Sequence, residues 1–185
     1  MSDLSLIKEL REKTGAGFLD CKNALSENDN NIEQSIDSLR KKGLSKASKK
    51  SSREANEGAV GFYKNKNISV VLKINSETDF SAKSDTFLDF LDSIGNIALN
   101  TNNTNLSISD FLFVEDNGKT ISDLLTEKIA KIGENLIIND LKIFDNKEAN
   151  VNYYIHNPYR NNIGKIVSAV IYSSKEENDE VKTFS

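Results

Sequence analysis

The run Ile68-Ser69-Val70-Val71-Leu72-Lys73-Ile74 is β-branched and apolar enough to make a largely buried strand, and Phe87, Leu91, Ile94 and Ala98 recur after it at helical spacing. The spacing predicts a helix from about residue 81 to 99. Between them lies the corner Ser76-Glu77-Thr78-Asp79-Phe80-Ser81-Ala82-Lys83. A phenylalanine there has two fates. Phe80 either tucks under its own helix or, carried beside Asp79 on a rigid corner, serves as a wedge for a partner's pocket. The corner residues by themselves leave both open.

The 185 residues suffice for one domain of ordinary size plus a small module. Charged residues at 28% and hydrophobic ones at 37% speak against disorder, and no apolar run approaches the length that spans a bilayer. The opening Met1-Ser2-Asp3-Leu4-Ser5 lacks the basic stretch and apolar core of a secretory signal, so a cytoplasmic protein is expected. Cys21, the single cysteine, shares an apolar helix face with Ala24 and Leu25 and reads as a small buried hydrophobe rather than a reactive thiol. With one histidine, His156, and no metal-ligand spacing, neither a metal site nor a cofactor is expected. A net charge of −4 gives no general reason for nucleic-acid affinity. Locally, Arg40, Lys41, Lys42, Lys46, Lys49, Lys50 and Arg53 crowd one segment. Nothing beside them stacks on or reads bases, which favours a solvated basic linker over a phosphate-binding patch.

Along the chain, Leu6, Ile7 and Leu10, then Cys21, Ala24 and Leu25, then Ile32, Ile36 and Leu39 give three short amphipathic faces. Gly15 and Gly43 read as C-terminal stops, and Asn30 with Glu33 resembles a capping box. Helices this short must pack on one another to be stable. Residues 1–43 are therefore expected to form a three-helix module, with 44–57 as a basic linker. Strands at 59–63 and 68–74 flank Lys64-Asn65-Lys66-Asn67 as a hairpin. After an Asn-rich loop at 100–105, Ile121, Leu124, Leu125, Ile129 and Ile132 mark a second helix that stops at Gly133, and Leu136-Ile137-Ile138 begins another strand. A second hairpin pairs residues 151–155 with 163–172 through the segment 156–162. Strand, polar turn and long apolar strand thus occur twice, which predicts an α+β core of two related subdomains with antiparallel strands, at 58–140 and 141–185. The second copy stops after Glu180-Val181-Lys182-Thr183-Phe184, where its helix should start, and the apolar run Ile166-Val167-Ser168-Ala169-Val170-Ile171 without that helix leaves a face exposed, so a fragment or shortened form is expected.

Three stretches together resemble the elongation factor Ts family. Residues 7–22, Ile7-Lys8-Glu9-Leu10-Arg11-Glu12-Lys13-Thr14-Gly15-Ala16-Gly17-Phe18-Leu19-Asp20-Cys21-Lys22, are similar to its opening signature. Thr78-Asp79-Phe80-Ser81-Ala82-Lys83 is similar to its core motif, and Lys131-Ile132-Gly133-Glu134-Asn135 to a later one. The loop Thr14-Gly15-Ala16-Gly17-Phe18-Leu19-Asp20 separately resembles that of ubiquitin-associated-type three-helix modules. The family resemblance implies a guanine-nucleotide exchange factor for the GTPase elongation factor Tu, with no bond chemistry of its own. It implies that Phe80 inserts into an apolar pocket beside a contact from Asp79. The stretch Thr78, Asp79, Phe80 and Ser81 would then disturb the phosphate and Mg²⁺ ligation that holds GDP. Arg11, Phe18, Leu19, Ile132, Gly133 and His156 would add contacts to the same partner. Ser81 stands where members often carry an apolar residue, and the segment 157–162 resembles an insertion. No direct nucleotide, nucleic-acid or membrane binding is expected, and self-association is left open. The competing expectation is a binding adaptor that works through the three-helix module. An enzyme is disfavoured, because no titratable pair has catalytic spacing and no Gly-rich phosphate loop is present.

Overall fold

The computed structural model describes residues 4–173. Three helices open it, α1 (Leu4–Thr14), α2 (Phe18–Glu27) and α3 (Ile32–Lys50). Strands β1 (Glu57–Lys64) and β2 (Ile68–Ser76) follow, then a single helical turn α4 (Asp79–Ala82) and the long helix α5 (Asp85–Asn100). Small elements α6 (Ile108–Phe111), β3 (Glu115–Asp116) and β4 (Lys119–Thr120) lead into α7 (Ile121–Ile132), and strands β5 (Leu136–Asp145), β6 (Asn150–Arg160) and β7 (Ile163–Tyr172) complete the described chain. The mixture is α+β, as expected. Two compact units divide it, one formed by the residues up to 53 with 123–135, the other by 54–122 with 136 onward.

In the first unit the predicted faces meet. Ile7, Leu10, Cys21, Ala24 and Leu25 are buried, and Leu6, Ile32, Ile36 and Leu39 pack against them. Burial in this apolar setting also pushes the Cys21 thiol above its ordinary pKa. Gly15 takes φ +65° just past α1, and its N–H donates to the Arg11 carbonyl at 2.8 Å, the left-handed stop predicted for it.

Three expectations fail locally. Gly43 does not stop α3, which continues to Lys50 through the segment read as a linker. The continuation is held by tertiary contacts that spacing cannot reveal: Lys42 and Lys46 both bond to Asp20 on α2, at 2.7 and 3.2 Å, and Lys50 Nζ donates to the Gly133 carbonyl. The cap of α3 is Asn31 rather than Asn30, since Asn30 is in the left-handed region at φ +62°. Asn31 Oδ1 accepts from Gln34 N at 3.0 Å. Residues 123–135, grouped with the strands on sequence, belong to this unit, where Asn135 Nδ2 donates to the Arg53 carbonyl at 2.8 Å.

The second unit is built on one antiparallel sheet in the order β5-β2-β1-β7-β6. The β1–β2 turn forms because Asn65 Oδ1 accepts from the amides of both Asn67 and Ile68, at 2.8 and 2.9 Å. Val70, Leu72 and Ile74 on β2 are fully buried, as are Phe87, Leu91, Ile94 and Ala98 on α5, the helix that packs on β1 and β2. Tyr63 locks the two layers together. Its hydroxyl donates to the Leu91 carbonyl at 3.0 Å, and its ring fills the space that side chains at Gly61 and Gly95 would occupy. The predicted helix from 81 is broken into α4 and α5 by Ser84, whose Oγ accepts from Phe87 N at 3.3 Å and starts the helix afresh.

The two strand pairs lie in one sheet, and the seam between them is short, with only Val60 paired to Gly164 and Gly61 to Ile163. β6 also runs further than predicted, to Arg160, which places His156 within the strand and leaves Asn161 and Asn162 as the link. Its register slips between Pro158 and Arg160. Proline lacks a donor for the ladder, and an edge strand with an irregularity tolerates that. The helix expected after residue 180 lies outside the described residues.

Candidate partner-binding site

Main-chain geometry at the corner after β2 decides the fate of Phe80. Ser76 Oγ donates to the Thr78 carbonyl at 2.9 Å, and Thr78 Oγ1 accepts from the Ser81 amide at 3.2 Å, capping α4. The amides of Ala82 and Lys83 return to the carbonyls of Thr78 and Asp79, each at 3.2 Å. This turn drives Ser81 and Ala82 inward, where both are buried, and turns Phe80 outward, where 87% of it is exposed. Phe80 is the most exposed of the large hydrophobic side chains among the described residues. Asp79 beside it pairs with Lys83 at 2.8 Å. The hydrogen bond from Lys83 holds the Asp79 carboxyl below its ordinary pKa, and Asp79 raises Lys83 in return, so both are charged at neutral pH.

Ser81 is the least comfortable residue of the corner, because its Oγ is buried without a hydrogen-bond partner. The hydroxyl occupies a place that an apolar group would fill without penalty.

His156, in the same unit, is exposed on β6, with Tyr154 Oη 3.4 Å from its Nδ1. The β6–β7 register pairs His156 with Ile166, Tyr154 with Ser168 and Asn152 with Val170, so these six side chains share one face. Tyr154, Ile166 and Val170 are 65%, 56% and 41% exposed, which makes that face a partly apolar ribbon surface. The exposed face expected of the apolar run 166–171 is thus present, with Tyr154 and His156 of β6 beside it, although the sequence named only His156 here as a candidate site residue. Phe113, at 78% exposure, was missed, and nothing in its neighbourhood marked it.

The other expected positions fall in the first unit. Arg11 is exposed in the last turn of α1, and Phe18 and Leu19 open α2 at 46% and 66% exposure. Ile132 is half-buried at the end of α7, followed by the exposed Gly133 at φ +87°, where a glycine is favoured. Among the described residues no group of three His, Cys, Asp or Glu side chains is placed to hold a metal ion, and no helix is long and apolar enough to cross a membrane.

These features define an α+β protein that presents large apolar side chains on a capped turn and along a two-stranded ribbon. The family model described as Elongation factor TS matches residues 77–184. The chain belongs to the elongation factor Ts family. It is similar to elongation factor Ts of Allorhizobium ampelinum, 41% identical over 179 residues that cover 97% of this chain and 58% of that protein. Elongation factor Ts of Sinorhizobium fredii is 43% identical over 162 residues, 88% of this chain and 52% of its own length. That of Rhizobium meliloti is 39% identical over 176 residues, 95% and 56% respectively. The chain thus spans a little over half the length of these curated relatives.

Proposed function

We propose that this chain is a guanine-nucleotide exchange factor of translation elongation, acting in the cytoplasm on elongation factor Tu. The observation that carries the reading is the 87% exposure of Phe80 on a turn capped by Thr78. A rigid, water-exposed aromatic gains most of its burial only when a partner's pocket receives it. On this reading Phe80 enters an apolar pocket of the GTPase, with Asp79 contacting the partner beside it. The insertion disturbs the phosphate and Mg²⁺ contacts that retain GDP. His156 adds a contact from β6, and Arg11, Phe18, Leu19, Ile132 and Gly133 add others from the first unit. No bond is made or broken. The exchange is a coupling of two binding events, so GDP must weaken the factor as much as the factor weakens GDP. Each tenfold loosening of GDP needs about 1.4 kcal/mol of contact made only in the nucleotide-free complex.

The test is stopped-flow release of a fluorescent GDP from elongation factor Tu, with the chain and with its Phe80→Ala form. Acceleration is expected with the first and not with the second, at an unchanged thermal melt. No acceleration by the folded chain would overturn the reading. The adaptor alternative draws on the exposure of Phe18 and Leu19 on the helical module. It predicts that Phe80→Ala leaves binding intact, while substitution of Phe18 removes it.

A further inference from the structure

We propose that Arg160 is a positioning residue, a clamp that sets the direction of the β6–β7 ribbon, and with it His156, relative to the corner that carries Phe80. The clamp deepens the exchange-factor reading and rests on it for its functional consequence. Asp85, Asp89 and Asp92 lie along one face of α5, and a single guanidinium gathers them. Arg160 Nη1 donates to Asp92 at 3.1 Å, and Nη2 to Asp89 at 2.7 Å and to Asp85 at 3.4 Å. Asn162 Nδ2 donates to the second oxygen of Asp92 at 2.7 Å, so both sides of the β6–β7 link are tied to α5. Asp92 and Arg160 are each only 28% exposed, and that half of the clamp is the most sheltered from solvent screening.

The fold leaves this clamp something to decide. The ribbon joins the rest of the sheet through two residue pairs on β1, whereas β2 pairs with β1 along its whole length. Beyond that seam, the ribbon is held by the Phe62 N–H to the Asn162 carbonyl at 2.8 Å, by the stack of Tyr153 on Phe62 at 4.2 Å and by the Lys165–Glu57 ion pair. None of these reaches α5. Arg160 does, and α5 is continuous through Ser84 with the turn that carries Phe80, since Ser84 N donates to the Ser81 carbonyl at 3.0 Å. Ribbon, helix and corner are therefore linked in one chain of contacts inside the second unit.

The test uses the 185-residue chain with Arg160→Met, which keeps the length of the side chain and removes its charge, and Arg160→Lys, which restores one. Amide hydrogen exchange and release of fluorescent GDP from elongation factor Tu are read on the same samples. In the Met form, exchange over residues 155–163 should quicken about tenfold while the amides of Leu72 and Ile94 keep their protection. The chain concentration giving half-maximal GDP release should rise about tenfold, with the plateau rate unchanged, and the Lys form should recover part of both losses. Unchanged exchange in the ribbon overturns the proposal. So does faster exchange with unaltered GDP release, because the clamp would then be structural only. If the unmodified chain fails to release GDP, the exchange-factor reading falls, and ribbon exchange alone still accepts or rejects the clamp. Should the Met form lose protection throughout, the swapped pair Arg160→Asp with Asp92→Arg decides, through recovery of both readouts or of neither.

Discussion

Thr78 accepts the Ser81 amide proton through its hydroxyl oxygen, at 3.2 Å, and this bond caps the turn from which Phe80 projects. Removing it in Thr78→Ala should free the first turn of a helix too short to persist by propensity. Caps of this kind contribute about 1 kcal/mol, which is about a fivefold loss of the turn's ordered state. If the proposed exchange activity holds, the chain concentration for half-maximal GDP release from elongation factor Tu should rise by about that factor, while Thr78→Ser keeps the cap and the activity. Equal activity of the Ala form would show that the turn is held by other contacts.

Ser81→Ala should stabilise the protein. The Ser81 hydroxyl is buried and has no hydrogen-bond partner, so its removal deletes a desolvation penalty and leaves only a small volume change. A gain of about 1 kcal/mol in urea-melt stability is expected. A loss of stability would mean that the hydroxyl is satisfied in solution.

Gly95→Ala should do the reverse. A methyl group there overlaps the ring of Tyr63, which is pinned by its hydrogen bond to the Leu91 carbonyl and cannot swing aside without losing it. Overpacking of this kind costs about 1–3 kcal/mol. The shift in the urea midpoint should shrink in a Tyr63→Phe background, where the ring has no bond to keep.

Asp20 makes the first unit sensitive to acid. Its carboxyl is held below the ordinary value of 3.8, first by the hydrogen bond from Lys42, with Lys46 assisting. A depressed folded pKa adds stability at pH above that ordinary value, and the addition is lost as pH falls through the folded value. Lys42 is shifted upward by the same bond, so its share disappears only at pH above its ordinary 10.5. Both groups are partly exposed, and solvent screening limits the effect to about 0.5 kcal/mol. Asp20→Asn should therefore melt below the unmodified chain at neutral pH and together with it near pH ~2, well under the carboxylate range. A constant gap between the two melts would assign the effect to packing rather than charge.

Much of the fold was legible because local period and local burial agree. The apolar run of β2, the stripe of Phe87, Leu91, Ile94 and Ala98, and the three small faces around Cys21 all bury the residues their pattern selected. What escaped depends on partners distant in the chain. Gly43 looks like a stop until Asp20 is found bonded to Lys42 and Lys46 across the helix pair. Arg160 looks like any turn arginine, since its carboxylates lie 68 to 75 positions away. At the candidate site, the motif around Phe80 was visible, but its direction was not. Whether an aromatic in a turn faces in or out is settled by which neighbour the cap drives inward, and here that neighbour is Ser81.

Because Phe80 stands almost wholly in water, the folded state has little stake in its identity. On the proposed reading, substitutions there are screened by the partner alone, whereas substitutions one residue further on, at Ser81, are screened by the core. Adjacent codons of one short turn would then answer to different selective pressures, and affinity for the proposed partner could drift or be redesigned at position 80 without a compensating change elsewhere in the chain.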